Sequence, residues 1–224
     1  MYVYVEDKEF INIAYSNCSD LVNQLVQRLK KENIRTSMRI AGSKSRNMVM
    51  RNGKGGIDFD FNLIIEDTFS WKGKYLKNKI MKALDEILDK EELYHCSDST
   101  SVVSTQEMIV EDDNVKDIPY KMDICIVRER NLKDGKSIER LIHHKKKKDQ
   151  EESYSWETAY KNDVKFYSKV DKLKKTHWHE VRKVYKDKRN MYLSRQDDEH
   201  PAFICYIETI NEVYNKHFSK NAKK

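Results

Sequence analysis

The sequence is poor in the residues that stiffen, loosen or staple a chain: Pro 2, Gly 6 and Cys 4 among 224 residues. So little glycine and proline excludes collagen-like and low-complexity architectures. The cysteines, Cys18, Cys96, Cys125 and Cys205, stand far apart with no CxxC pair. That excludes a zinc ribbon and a disulfide-built scaffold, and it fits a reducing compartment. No stretch approaches the roughly 18 apolar residues of a membrane helix. Residues 1–10 hold no basic stretch ahead of an apolar one. A soluble, cytoplasmic chain without targeting segment or membrane partner is therefore expected. What is present in quantity is charge, 36%, against 38% hydrophobic and 10% aromatic residues. This composition builds a modest core under a heavily charged surface, in one domain or one domain with a small lobe.

The charge is uneven. Residues 1–132 carry 20 Lys and Arg against 22 Asp and Glu, whereas residues 133–224 carry 23 against 15. The basic C-terminal part suits an anionic partner or, more simply, a solubilising lysine surface.

Apolar periodicity sets out the elements. Leu21, Val22, Leu25, Val26 and Leu29 predict a helix over residues 19–33, capped by Ser19 or Asp20. Residues 36–41 read as a strand closing at Gly42-Ser43. The loop that follows holds Gly53, Gly55 and Gly56, half of the glycines in the chain, and is expected to be mobile. Residues 57–65 form the clearest strand, because Ile57, Phe59, Phe61, Leu63 and Ile65 alternate with Asp58, Asp60 and Asn62. Residues 71–90 predict a second helix, 99–110 a strand, and 121–127 a better one with Met122, Ile124 and Ile126 opposite Asp123 and Cys125. Lys133-Asp134-Gly135-Lys136 predicts a hairpin turn into a returning strand over 137–144. Residues 156–175, 178–191 and 201–218 read as helices. The resulting class is α+β: a mixed sheet with flanking helices and a small C-terminal helical lobe, divided into residues 1–150 and 151–224.

Chemistry concentrates on three carboxylates. Asp58 and Asp60 share one strand face, and Asp123 lies on a later strand of similar character, so one sheet edge can bring all three together. Like charges so placed repel and raise each other's pKa. Divalent cations relieve this, and two Mg²⁺ or Mn²⁺ ions in such a cluster stabilise both the attacking and leaving oxygens of a phosphoryl displacement. Gly42-Ser43 closes the preceding strand, where the glycine admits phosphate close to the backbone, the Ser43 hydroxyl donates to it, and Lys44 and Arg46 add positive charge. Lys165, Lys169 and Lys172 line one helix face and are candidate triphosphate contacts or a plain surface face. The paired histidines, His143-His144 and His177 with His179, point to different faces and do not read as a zinc set. Lys145 to Lys148 lacks interleaved aromatics and reads as a solvated run.

The series Ala41-Gly42-Ser43, Asp58-Phe59-Asp60-Phe61-Asn62-Leu63 and Met122-Asp123-Ile124 resembles the core of the polymerase-β-like nucleotidyltransferase superfamily. Within it the chain is most similar to the template-independent branch of oligoadenylate synthase, cyclic GMP-AMP synthase and the bacterial antiphage oligonucleotide synthases. The resemblance implies a nucleotidyltransferase core that moves a nucleoside monophosphate from an NTP or dNTP to an acceptor hydroxyl. It implies metal on Asp58, Asp60 and Asp123, with Ser43 and its neighbours on the β- and γ-phosphates. It further implies an oligonucleotide product or nucleic-acid acceptor and an effector protein as partners. Transfer to a protein, tRNA or small molecule uses the same chemistry, and a non-catalytic nucleotide- or RNA-binding module is the reading from outside enzymology. The connection from Gly-Ser to Asp-x-Asp is longer than usual for the family by the Met48 to Gly56 segment. The short helical lobe leads to an expectation of linear or single-transfer products rather than cyclic ones.

Overall fold

The computed structural model describes residues 1–66, 71–112, 115–132, 135–146, 151–161, 164–197 and 199–219. In chain order the elements are β1 (Tyr2–Tyr4), α1 (Lys8–Lys31), β2 (Thr36–Ile40), β3 (Met50–Asn52), β4 (Ile57–Ile65), α2 (Gly73–Leu88), β5 (Ser97–Asp98), β6 (Val103–Ser104), β7 (Tyr120–Leu132), β8 (Gly135–His144), β9 (Ser153–Lys161), α3 (Val164–Thr176), α4 (Trp178–Ser194) and α5 (Ala202–Phe218). Short 3₁₀ turns lie at Lys44–Arg46 and Asp89–Glu91.

The chain divides into two compact units. The larger comprises Val5–Val49 and Lys54–Asn162. Its sheet runs β2-β4-β7-β6-β5, with β8 on β7 and β9 on β8. The β4–β7 pair is parallel, and β2 and β8 flank it antiparallel. A parallel pair needs a crossover between its strands, and α2 lies on that connection. The alternation of β4 buries Ile57, Phe59, Phe61, Leu63 and Ile65. They pack with Met122, Ile124 and Ile126 of β7 and with the apolar stripes of α1 and α2. Tyr15 of α1 stacks on Phe61 with ring centroids 6.0 Å apart. Each fully buried large side chain here contributes about 1.5–3 kcal/mol, and that one-sided burial commits the other face of β4 to its polar residues.

The smaller unit comprises Met1–Tyr4, Met50–Gly53 and Asp163–Lys224. In it β1 pairs with β3. The Asn190 side chain of α4 accepts from Tyr2 N at 2.6 Å and donates to Tyr2 O at 3.0 Å. Phe166, Leu173, Val181, Tyr185, Tyr206, Ile210 and Val213 form its interior.

Four expectations change. The first helix begins at Lys8, not residue 19, and is capped by Asp7, whose side chain accepts from Phe10 N. Ser19 and Asp20 are mid-helical, because Phe10, Ala14 and Cys18 carry the buried stripe back toward the N-terminus. Over residues 99–110 only β6 and a single bridge, Met108 to Tyr120, pair as strand. Residues 153–161 are strand β9, where 156 onward read as helix, because β8 offers a free edge to pair. The sheet thus runs past the expected division at residue 150. Part of the glycine-bearing loop is β3, which is ordered by pairing. Lys133 and Asp134 of the hairpin turn, and Lys147 and Lys148 of the lysine run, lie outside the described residues. No described helix is long and apolar enough to cross a membrane.

Candidate active site

With the odd-numbered residues of β4 buried, Asp58, Asp60 and Asn62 occupy its opposite face. The parallel register then sets Asp58 beside Lys121, Asp60 beside Asp123 and Asn62 beside Cys125. Two carboxylates stand abreast and the third is one pleat away. Lys121 Nζ lies 3.6 Å from Asp58 Oδ1 and 3.8 Å from Asp123 Oδ1. Side-chain exposure is 54% at Asp58 and 16% at Asp123. Asp123 Oδ1 is buried and accepts no hydrogen bond.

The electrostatics follow from this crowding. Burial, then the charges of Asp123 and Asp58, push the Asp60 carboxyl up to about 6, with Arg46 and Lys121 opposing. Asp58 is raised by burial and by Asp123 and Glu107, against the pull of Lys121. In both cases the carboxylate form is the one disfavoured.

Gly42 abuts this face. Ala41 N donates to Asp60 O at 2.8 Å, which holds the end of β2 against β4. Gly42 has φ +60, and a β-carbon there would overlap the Asp60 carboxylate, so both backbone and space call for glycine. Ser43 opens the Lys44–Arg46 turn and its hydroxyl makes no capping bond. Its carbonyl accepts from Arg46 N and Met48 N. Lys44 donates to Asn12 Oδ1 at 3.3 Å and lies 5.0 Å from the Tyr15 ring; burial lowers its pKa.

Gly42, Ser43, Lys44, Arg46, Asp58, Asp60 and Asp123 therefore all belong to the sheet unit, on β4, β7 and the end of β2. Lys165, Lys169 and Lys172 belong to α3 in the helical unit. There Lys169 donates to Asn211 Oδ1 at 2.6 Å, and Lys172 lies 4.1 Å from the Phe218 ring. Lys121 and Glu107 were missed in the sequence. Lys121 was legible, since it stands two residues before Asp123 and shares its face by alternation. Glu107 was not, because it acts through tertiary proximity alone.

Among the described residues no group of three His, Cys, Asp or Glu side chains is arranged as a ready-made metal cage. The donors nonetheless suit a hard cation. They are carboxylates, they repel each other, and one buried oxygen lacks a hydrogen bond. Mg²⁺ and Mn²⁺ take few protein carboxylates and complete their shell with substrate phosphate and water, so an open set of this kind fits them better than a closed cage would.

No protein-family model matches the chain, and no curated protein matches it. Among solved structures it is similar to E. coli MS115-1 CdnC with ATP, at 13% identity, over 92% of this chain and 60% of that one, with a TM-score of 0.55. The fold is a nucleotidyltransferase fold. CdnC in its HORMA-deltaN complex aligns at 12% identity over 96% of this chain and 67% of that one, TM-score 0.49. The Bradyrhizobium diazoefficiens CD-NTase CdnG with GTP aligns at 14% over 70% and 39%, TM-score 0.39. The assignment of the nucleotidyltransferase fold rests on the first of these, and the chain spans 60% of the length of that CdnC chain.

Proposed function

We propose that this protein is a divalent-metal-dependent nucleotidyltransferase that joins the α-phosphorus of an NTP or dNTP to an acceptor hydroxyl and releases pyrophosphate. Its product in this reading is an oligonucleotide that serves as a bacterial antiphage signal. The observation that carries the proposal is the β4–β7 register, which sets Asp60 beside Asp123 with Asp58 on the same face, next to a glycine whose missing β-carbon makes room for Asp60. ATP in the similar CdnC structure supports a nucleoside triphosphate as donor.

Asp58 and Asp60 would hold two Mg²⁺ or Mn²⁺ ions, with Asp123 completing the set for one of them. Bound there, the ions would neutralise phosphate charge and make the acceptor hydroxyl more acidic. The chain's own residues do the rest. Ser43 donates its uncapped hydroxyl to the β- and γ-phosphate oxygens, and Lys44 and Arg46 hold the triphosphate's charge. The acceptor's proton passes to Asp123, whose Oδ1 makes no hydrogen bond. The new O–P bond forms as the α–β bridging bond breaks, and pyrophosphate departs with the electron pair. The proposal draws only on the sheet unit, because Lys169 and Lys172 are engaged with α5.

The test is incubation with each labelled NTP and dNTP separately, with Mg²⁺ or Mn²⁺, followed by mass analysis of the products. The expected result is pyrophosphate together with a ladder of linear oligonucleotides. Absence of pyrophosphate from every nucleotide with either metal would overturn the proposal.

A further inference from the structure

Lys121 has no part in the reaction just described, yet its ammonium is shared between carboxylates of two strands, 3.6 Å from Asp58 Oδ1 and 3.8 Å from Asp123 Oδ1. Backbone geometry dictates the sharing. Lys121 and Asp123 are two residues apart on β7 and so lie on one face. The parallel register sets Lys121 directly beside Asp58. Asp123 Oδ1 is buried and accepts no hydrogen bond.

We propose that Lys121 is a built-in counter-cation, which holds the carboxylate cluster together in the metal-free protein and competes with the divalent ion for the same oxygens. The proposal rests on the reading of Asp58, Asp60 and Asp123 as the metal-holding set. Without a positive charge among them, the three carboxylates load the β4–β7 pairing with repulsion. One ammonium between two of them relieves part of it. A divalent ion needs those same oxygens, so the two cations exclude each other. The lysine has a route out: its side chain is 37% exposed, and its flexible stem carries the ammonium to water. The apparent metal affinity is then lowered in proportion to the time the ammonium stays in place. A monovalent charge fixed in the fold thereby sets the divalent concentration at which the site fills.

The experiment compares the full chain with Lys121→Met and Lys121→Arg, without nucleotide. Thermal unfolding is followed in EDTA and at saturating Mn²⁺, and Mn²⁺ affinity is read from the paramagnetic resonance of the free ion. In K121M the EDTA midpoint should fall by about 3–6 °C, while Mn²⁺ binding tightens about threefold to tenfold as the competitor is lost. K121R keeps a cation in place and should stay near wild type in both. Unchanged or weaker Mn²⁺ binding in K121M, or an unchanged EDTA midpoint, would overturn the proposal. An equal fall of the midpoint in EDTA and at saturating Mn²⁺ would also overturn it, by showing a general loss of packing. Asp60→Asn separates this from the parent reading. If wild-type Mn²⁺ binding survives D60N undiminished, the metal site itself is refuted; if binding is lost in D60N yet indifferent to K121M, only the counter-cation fails.

Discussion

On β4 and β7, Asp58, Asp60 and Asp123 crowd one sheet face with a lysine shared between two of them, and Asp60 is pushed up to about 6. On α4 and α5 a carboxylate meets the opposite fate. Glu180 accepts from Lys216 Nζ and bonds His217 Nε2, both at 2.6 Å, and its carboxyl falls to about 2. Lys188 of α4 likewise meets Glu212 of α5 at 3.0 Å. Glu180 and Glu212 are thus matched by cations within the helical unit, which is how charge serves a structure. At Asp58 and Asp60 burial and neighbouring carboxylates instead disfavour the charged form, the pattern expected where charge is kept for a ligand.

The comparison breaks first at the carboxylates. Replacing Asp58 and Asp60 together with Asn should abolish nucleotide transfer, a loss on the order of a thousandfold or more, or about 4 kcal/mol of transition-state stabilisation. The metal-free protein should at the same time unfold at a higher temperature, since repulsion is relieved. A lower midpoint in EDTA would show that these charges stabilise the fold as those of the helical unit do.

Glycine sharpens the contrast. Gly42 and Gly53 both have φ +60, but a β-carbon meets Asp60 at the first and nothing within 4 Å at the second. Gly42→Ala should destabilise by about 2–4 kcal/mol and impair transfer. Gly53→Ala should show only the backbone penalty, about 1–2 kcal/mol. Equal losses in chemical denaturation would remove the steric argument for Gly42.

Acidity divides the two regions by sign. Because the Asp60 pKa is raised from 3.8 to about 6, its contribution is full below pH 3.8 and is lost as pH rises through about 6. The metal-free protein should lose on the order of 3 kcal/mol over that window, and D60N should flatten the change. Glu180 runs the other way. Its pKa falls from 4.5 to about 2, so its contribution is present above pH 4.5 and is lost as pH falls through about 2. Glu180→Gln should cost less than about 1 kcal/mol at neutral pH, as befits a partly solvated pair. Urea titrations across pH measure both, and coincident profiles for the two variants would erase the distinction.

The parts that were legible in the sequence are those whose cause is local. β4 was readable from end to end because alternation over nine residues has one outcome when one face must be buried. The Gly42-Ser43 turn was readable because a Gly-Ser pair ends a short, partly alternating strand. β9 was misread because Trp156 and Tyr160 are spaced four apart, as on a helix; what decides for strand is pairing with β8, which no window of sequence contains. The start of α1 was missed because Ile11, Ile13 and Tyr15 scatter apolar residues around the helix and blur the stripe that Phe10, Ala14 and Cys18 bury.

By itself the sequence determined that Asp58 and Asp60 share a face, that Lys121 and Asp123 share a face, and that a glycine and a serine end the neighbouring strand. Each follows from the two-residue period of a strand or from turn chemistry, which act within a few bonds. Only the tertiary structure decided that these two faces are one. The pairing of Asp60 with Asp123 joins residues far apart in the chain, and a slip of one residue in the β4–β7 register would send Asp123 to the opposite side. What holds the register is the burial of Phe59, Phe61, Met122 and Ile124 against α1 and α2, so the hydrophobic face chose the partners of the charged one.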